Sequence, residues 1–282
     1  MVGRIISIRS NLYIVDINGE KHETRARGKF RFDELTPLVG DFVDVDENDY
    51  ILEIKPRNNY FDRPKVANID ASIVVSSLKH PDFSTYLLDK MLVSISSKDI
   101  KPIICFTKYD LLEDDERPNM DNIIKYYKDL GYDVVLNTEI DKIKQLISGK
   151  VVNLVGQTGV GKSTLLNKIS PGLNLETNDI SEALGRGKHT TRHVELYEIE
   201  DFLIADTPGF SAFDCIVDKE NIRFYFPEFK NDDCKFRGCL HMMEIGCKVK
   251  EDVDNNVIML SRYESYKKMV VESENINIGF KK

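Results

Sequence analysis

Apolar and polar positions alternate in short runs along the first 65 residues: GRIISIRS, LYIVDIN, HETRARGKF, DFVDVD and YILEIKP. Turn-forming pairs separate these runs, among them Asn18-Gly19, Val39-Gly40 and Asn48-Asp49. Alternation with period two marks half-buried strands, and Asn-Gly between two such runs marks a tight turn. Five short strands in so short a stretch predict a small β-barrel, an OB-fold, although a β-sandwich fragment would leave a similar pattern.

Near residue 70 the pattern changes. SIVVSS (72–77) is a continuous apolar strand, and a helical stretch follows at Thr85–Ser96. Strand PIICFT (102–107), helix Met120–Leu130, strand DVVLN (133–137), helix Ile140–Ser148, strand VVNLVG (151–156) and helix Lys162–Ile169 continue the alternation. Apolar strands alternating with helices predict an α/β domain with a parallel sheet covered on both faces. A strand pair, HVELYEIE (193–200) and DFLIAD (201–206), follows a polar loop at 176–192. Beyond Phe210 the pattern is irregular and cysteine-rich, and it closes with a helix containing SRYESYKKMVVESE (261–274). The expected division is a barrel at 1–65, an α/β domain at 66–215 and a metal-binding domain with a C-terminal helix at 216–282.

Composition narrows the setting. The chain has 282 residues, 41% hydrophobic and 30% charged, which suits a globular protein with a substantial core. No apolar run approaches the roughly 18 residues of a membrane span, and the N-terminus lacks a signal-peptide core, so no membrane association and a cytoplasmic location are expected. The net charge of -8 excludes a chain that binds nucleic acid through overall positive charge. A local patch is still available. Lys21, Arg25, Arg27, Lys29 and Arg31 crowd one stretch against the single acid Glu23, with Phe30 and Phe32 for stacking. Alternation would put Arg25, Arg27, Lys29 and Arg31 on one face, as it would in an edge strand charged to resist aggregation.

The sharpest chemistry lies at 156–163. GQTGVGKS matches G-x-x-x-x-G-K-S between a buried strand and a helix. In this motif Gly156, Gln157, Thr158, Gly159, Val160 and Gly161 wrap backbone N–H groups around phosphate oxygens. Lys162 reaches the β- and γ-phosphates, and Ser163 ligates Mg²⁺. DTPG at 206–209 ends another strand. It places Asp206 near the metal and the Gly209 N–H near the γ-phosphate. Thr190 or Thr191, in GRGKHTTRH, can complete that shell, and a polar solvent loop is the plain alternative for either. TKYD at 107–110 is a one-residue variant of the guanine motif N-K-x-D. The Asp110 carboxylate accepts from two guanine donors that adenine lacks, and a buried, unpaired Asp110 would discriminate by about 10⁴ or more. An ATPase is a third reading, which a marked preference for guanine that is lost in Asp110→Ala would exclude. Lys108 stacks along the base, Tyr109 lies between them, and Thr107 stands where N-K-x-D has Asn. Asn137-Thr138 can form the last wall of the pocket.

The order of these motifs is unusual. TKYD precedes the phosphate loop, whereas an ordinary GTPase has N-K-x-D last. Each motif still follows its own strand, so the order reads as a circular permutation of a P-loop GTPase with its cut after DTPG. The chain beyond DTPG runs instead into Cys234-x₄-Cys239-x-His241-x₅-Cys247. Three thiolates and one imidazole suit a closed, structural Zn²⁺ site, with buried free cysteines as the alternative.

With these segments the chain resembles the RsgA (YjeQ/YloQ) family, the circularly permuted GTPases of bacterial ribosome assembly. The resemblance covers essentially the whole chain: RARGKFR (25–31), PLVGDFVDV (37–45), RPKVANID (63–70), TKYDLL, GQTGVGKSTLLN, GKHTTRHVELY, DTPGF, CKFRGCLHMMEIGC and RYESY (262–266). It implies an N-terminal OB-fold, a permuted GTPase domain and a C-terminal zinc domain. It also implies GTP hydrolysis stimulated by the small ribosomal subunit, binding to that subunit and its rRNA, and a role in late maturation. TKYD and 156–164 would be the nucleotide contacts, and Cys234, Cys239, His241 and Cys247 the zinc ligands. The expected state is a monomer that cycles between GTP and GDP.

Phe210 follows DTPG, where many GTPases carry the glutamine that orients water. Slow turnover alone is therefore expected, with His189 or a partner's group as the catalytic substitute. A second reading keeps the nucleotide as a gate for RNA or ribosome binding and makes hydrolysis incidental.

Overall fold

The computed structural model describes residues 1–9, 12–26, 36–62, 65–171, 195–206, 217–229 and 233–279. Strands β1 (Val2–Arg9), β2 (Leu12–Ile17), β3 (Glu20–Ala26), β4 (Phe42–Val45) and β5 (Tyr50–Ile54) pair in the order β1-β2-β3-β5-β4, and β4 returns to β1. The β3–β5 pair is parallel and the other pairs are antiparallel. The result is one closed barrel with the OB-fold order, not a sandwich fragment. Its inward positions, Ile5, Val15, Val43, Val45 and Ile51, are all buried.

The α/β domain follows the predicted alternation. Parallel strands β8 (Ala71–Ser77), β9 (Lys101–Thr107), β10 (Asp133–Leu136), β11 (Val151–Val155) and β13 (Phe202–Asp206) lie in the order β10-β9-β8-β11-β13. Strand β12 (Glu195–Ile199) runs antiparallel along β13. Side-chain alternation divides the core between two faces. Val74, Ile104, Phe106, Val134 and Val155 pack with α1 (Thr85–Ser96) and α2 (Arg117–Asp129). Ile73, Val75, Ile103, Cys105 and Val152 pack with α3 (Ile140–Ile147) and α4 (Lys162–Ile169). Covering both faces is what lets these strands carry apolar side chains on both sides.

Two features go beyond the sequence pattern. A short ribbon of β6 (Tyr60–Asp62) and β7 (Lys65–Ala67) connects barrel and sheet. Strand β1 also pairs with β12 through Ser7 and Glu195, so barrel and α/β domain form one 11-stranded sheet. The irregular C-terminal region contains α5 (Lys219–Ile222), 3-10 turns at Arg223–Tyr225 and Pro227–Phe229, and α6 (Lys248–Asp254). Its last helix, α7, runs over Leu260–Gly279, longer than the pattern suggests. This region has its own core of Phe226, Phe229, Val249, Tyr263 and Tyr266, which also takes in Val93 of α1. Among the described residues, no helix is long and apolar enough to cross a membrane.

The barrel meets the ribbon at Gly40. Its N–H donates to Ile5 O at 2.7 Å, and its carbonyl accepts from Asn68 Nδ2 at 3.0 Å. At φ +92 a Cβ would lie 2.0 Å from Ala67 O, so only glycine fits. Gly40→Ala is expected to destabilise the protein by about 2 kcal/mol or more in a urea melt. A melt identical to the parent's would show that this approach does not constrain the junction.

Candidate functional site

Strands β8, β9, β11 and β13 run parallel, so the segments that follow them emerge at one edge of the sheet. This edge is where α/β sheets bind ligands. The phosphate loop leaves β11 at Gly156, which has φ +153, and a Cβ there would sit 2.3 Å from Val75 O. The first glycine is thus required by the neighbouring strand β8. Gly161, at φ +98, turns the chain into α4, whose first residues are Lys162 and Ser163. The Lys162 ammonium donates to Gly156 O at 2.7 Å and Gln157 O at 2.8 Å, so its charge lies over the loop. Thr158, Gly159 and Thr164 are exposed, and Val160 is buried beneath them.

The base-reading segment touches this loop directly. Thr107 is buried, and its hydroxyl donates to Val160 O at 2.7 Å. The threonine that replaces Asn therefore spends its hydroxyl on the phosphate loop. Lys108 reaches across with its ammonium to Gly159 O at 2.8 Å and to the carbonyl of His80. Its backbone is left-handed, with φ 60, and this starts the 3-10 turn Tyr109–Leu111. Asp110 in that turn is exposed. The carboxylate is open to solvent without a nucleotide, so discrimination of the kind expected needs a base to cover it. Asn137 follows β10, and its N–H donates to Phe106 O of β9 at 2.9 Å. His80 gave no signal in the sequence, because it contributes a backbone carbonyl.

Asp206 ends β13, which pairs with β11 at Val151–Leu203 and Val152–Ile204. A carboxylate-bearing residue thus ends the strand beside the one that leads to Ser163. Hydroxyl and carboxylate oxygens are the hard donors that suit Mg²⁺. His189, Thr190, Thr191, Gly209 and Phe210 lie outside the described residues, as do Arg27, Lys29, Phe30, Arg31 and Phe32. Of the basic stretch, Lys21 and Arg25 are described, and both are exposed beside Glu23.

The sequence-predicted metal residues do converge. The ligand atoms of Cys234, Cys239, His241 and Cys247 all lie within 4.8 Å of one another. Cys234 Sγ is 3.9 Å from Cys247 Sγ and 3.6 Å from His241 Nδ1, and His241 Nδ1 is 3.3 Å from Cys247 Sγ. A tetrahedral zinc with ordinary bond lengths spaces sulfurs about 3.8 Å apart and sulfur from nitrogen about 3.6 Å. The four residues fit that ion. Outer contacts hold them: the N–H groups of His241 and Lys248 donate to Cys239 Sγ at 3.4 Å and Cys234 Sγ at 3.3 Å. Tyr263 and Tyr266 donate their hydroxyls to His241 O and Leu240 O, each at 2.6 Å. Glu244 accepts from the N–H groups of Leu240 at 2.7 Å and Met242 at 2.8 Å.

A phosphate loop, a guanine-type motif and a strand-end aspartate on one sheet edge define a P-loop GTPase in permuted order. The chain belongs to the RsgA GTPase family, whose profile matches residues 54–216, and the RsgA N-terminal domain profile matches residues 2–50. The chain is 47% identical to the small ribosomal subunit biogenesis GTPase RsgA of Geobacillus sp. (strain WCH70), covering 96% of both chains. Among solved structures it is similar to YjeQ from Thermotoga maritima, with a TM-score of 0.83, 34% identity and coverage of 96% of this chain and 98% of that one. It is also similar to YloQ, described as a circularly permuted GTPase, with a TM-score of 0.80, 37% identity and coverage of 97% and 95%.

Burial pushes the Cys239 thiol up to about 12 and raises that of Cys247, whereas it lowers the His241 pKa. Near pH 7 the metal-free site therefore holds these thiols protonated and the ring neutral. Zinc binding should release about two protons or more, and its affinity should fall steeply as pH drops. Calorimetry in buffers of different ionisation enthalpy measures the count. A release near zero would contradict thiolate ligation.

Proposed function

We propose that this chain is a GTP hydrolase that assists late maturation of the small ribosomal subunit, binding that subunit and its rRNA. The reading is supported best by the Thr107–Val160 hydrogen bond, because it joins the base-reading strand to the phosphate loop across the permuted order. The Geobacillus relative named above is described as a small ribosomal subunit biogenesis GTPase.

In this reading Gly156, Gln157, Thr158, Gly159, Val160, Gly161, Lys162, Ser163 and Thr164 cradle the phosphates, and Thr107, Lys108, Tyr109 and Asp110 hold the guanine. Lys162 and the Gly209 N–H stabilise charge on the transferred phosphoryl group. Ser163, Asp206 and Thr191 hold Mg²⁺, which supplies charge neutralisation when bound. His189 or a ribosomal group orients the water. Cys234, Cys239, His241 and Cys247 hold one structural Zn²⁺. We divide the chain into a barrel (1–65) that contacts RNA, the GTPase domain (66–215) and the zinc domain (216–282). The protein works as a cytoplasmic monomer.

Phe210 offers no hydrogen bond to water, so turnover alone should be slow. Addition of purified small ribosomal subunits should raise kcat by about 10-fold or more, as expected when a partner completes a GTPase site. Large subunits should not. Unchanged turnover combined with GTP-dependent subunit binding would instead favour the nucleotide as a gate.

A further inference from the structure

The C-terminal region docks on the GTPase domain through a buried arginine that the nucleotide chemistry does not use. Arg262, on α7, is 1% exposed and faces Asp89 of α1 at 0% and Glu228 at 6%. Its Nε donates to Glu228 Oε1 at 2.7 Å and its Nη2 to Oε2 at 3.0 Å. Its Nη1 donates to Asp89 Oδ1, which also accepts from the Tyr127 hydroxyl of α2 at 2.6 Å. The guanidinium lies between two rings, 4.5 Å from the centroid of Phe226 and 5.2 Å from that of Tyr127. One side chain thus ties α1, α2, α7 and the Pro227–Phe229 turn together.

Burial disfavours the Arg262 charge, but Asp89, Tyr127 and Glu228 outweigh it and hold the guanidinium protonated. Burial also raises the Asp89 carboxyl, against the pull of Arg262. A buried ion network of this kind is seldom a source of stability beyond what apolar packing would give. What it does supply is orientation, since a planar fork between two carboxylates admits few arrangements.

The two clamped helices flank, in the chain, the strand and turn that read the base. Helix α2 follows the turn containing Asp110, and Tyr127 lies near its far end. Helix α1 follows the segment whose His80 carbonyl receives the Lys108 ammonium, and in that segment the Leu78 N–H donates to Thr107 O at 3.1 Å. Lys79 further bridges to Glu113 and Glu116, between the turn and α2. On the other side, α7 reaches the metal site through Tyr263 and Tyr266, within one turn of Arg262. A continuous set of hydrogen bonds and rigid helices therefore runs from the backbone of the metal loop to the guanine-reading turn.

We propose that Arg262 is a positioning residue for the guanine-reading turn, and that zinc and guanine nucleotide binding are positively linked through it. The proposal rests on the nucleotide and zinc sites assigned above. Zinc holds the loop at 240–241, the loop holds α7, and Arg262 on α7 holds α1 at Asp89 and α2 at Tyr127. Zinc loading then favours the arrangement that binds nucleotide, and by linkage nucleotide raises zinc affinity by the same factor.

The test measures both sides of that linkage on the full chain. A chromophoric chelator competes for zinc with and without GDP, and a fluorescent GDP analogue is titrated with and without zinc. The wild-type protein should give the same factor from both, about five- to tenfold. Arg262→Met keeps the apolar stem and loses the fork, and its factor should approach one. Because that variant strands two buried carboxylates, Tyr127→Phe, which removes one hydroxyl, provides a milder check and should lower the factor in part. A factor of one in the wild-type protein overturns the proposal without any variant, as does an unchanged factor in a folded Arg262→Met protein. If zinc-loaded protein fails to bind GDP at all, the nucleotide-site reading falls, and this inference with it.

Discussion

Parallel pairing forces the carboxyl ends of β8, β9, β11 and β13 onto one edge of the sheet, and the remaining features follow from that constraint. A nucleotide site needs its base reader, phosphate loop and switch side by side. The sheet supplies that proximity through strand order, which is independent of where the chain begins. TKYD can therefore precede the phosphate loop by some fifty residues of sequence and still bond to it, as the Thr107 hydroxyl does to Val160 O. Gly156 reflects the same constraint from inside the sheet, since Val75 of the adjacent strand leaves no room for a Cβ.

Moving the termini has a structural consequence. Among the described residues, the chain after β13 adds no further strand to the sheet, and the C-terminal region has its own core and its own docking face. It takes the α1–α2 face. There Val93 joins an apolar cluster with Phe226 and Tyr266, and Arg262 is buried between Asp89 and Glu228. At the opposite end the barrel completes the edge of the sheet through Ser7 and Glu195. Both flanking domains are thus joined to the GTPase domain by specific pairing, not merely by linkers.

Much of this was legible in the sequence because it rests on local patterns. Period-two alternation gave the barrel strands. Uninterrupted apolar runs gave the buried parallel strands, and Thr85–Ser96 and Lys162–Ile169 have the helical limits that the pattern predicts. The cysteine spacing gave the cluster. Features that depend on tertiary contact were not legible. The β6–β7 ribbon is too short to carry a period, and the β1–β12 pairing joins residues far apart in the chain. His80 acts through its backbone, and nothing local marks Arg262 as a buried charge rather than a surface one. The exposed position of Asp110 is of the same kind, for a sequence motif does not report how much solvent reaches it.

The central claim is that Asp110, in the turn after a strand upstream of the phosphate loop, reads the guanine of the nucleotide that this loop holds. Affinities of GDP and xanthosine diphosphate for the wild-type protein and Asp110→Asn test it most directly. Xanthine presents a carbonyl where guanine has its amino group, so an amide at position 110 can donate where the carboxylate only accepts. The account predicts that wild-type protein prefers GDP and that Asp110→Asn prefers xanthosine diphosphate. An Asp110→Asn protein that binds GDP as tightly as the parent would contradict it.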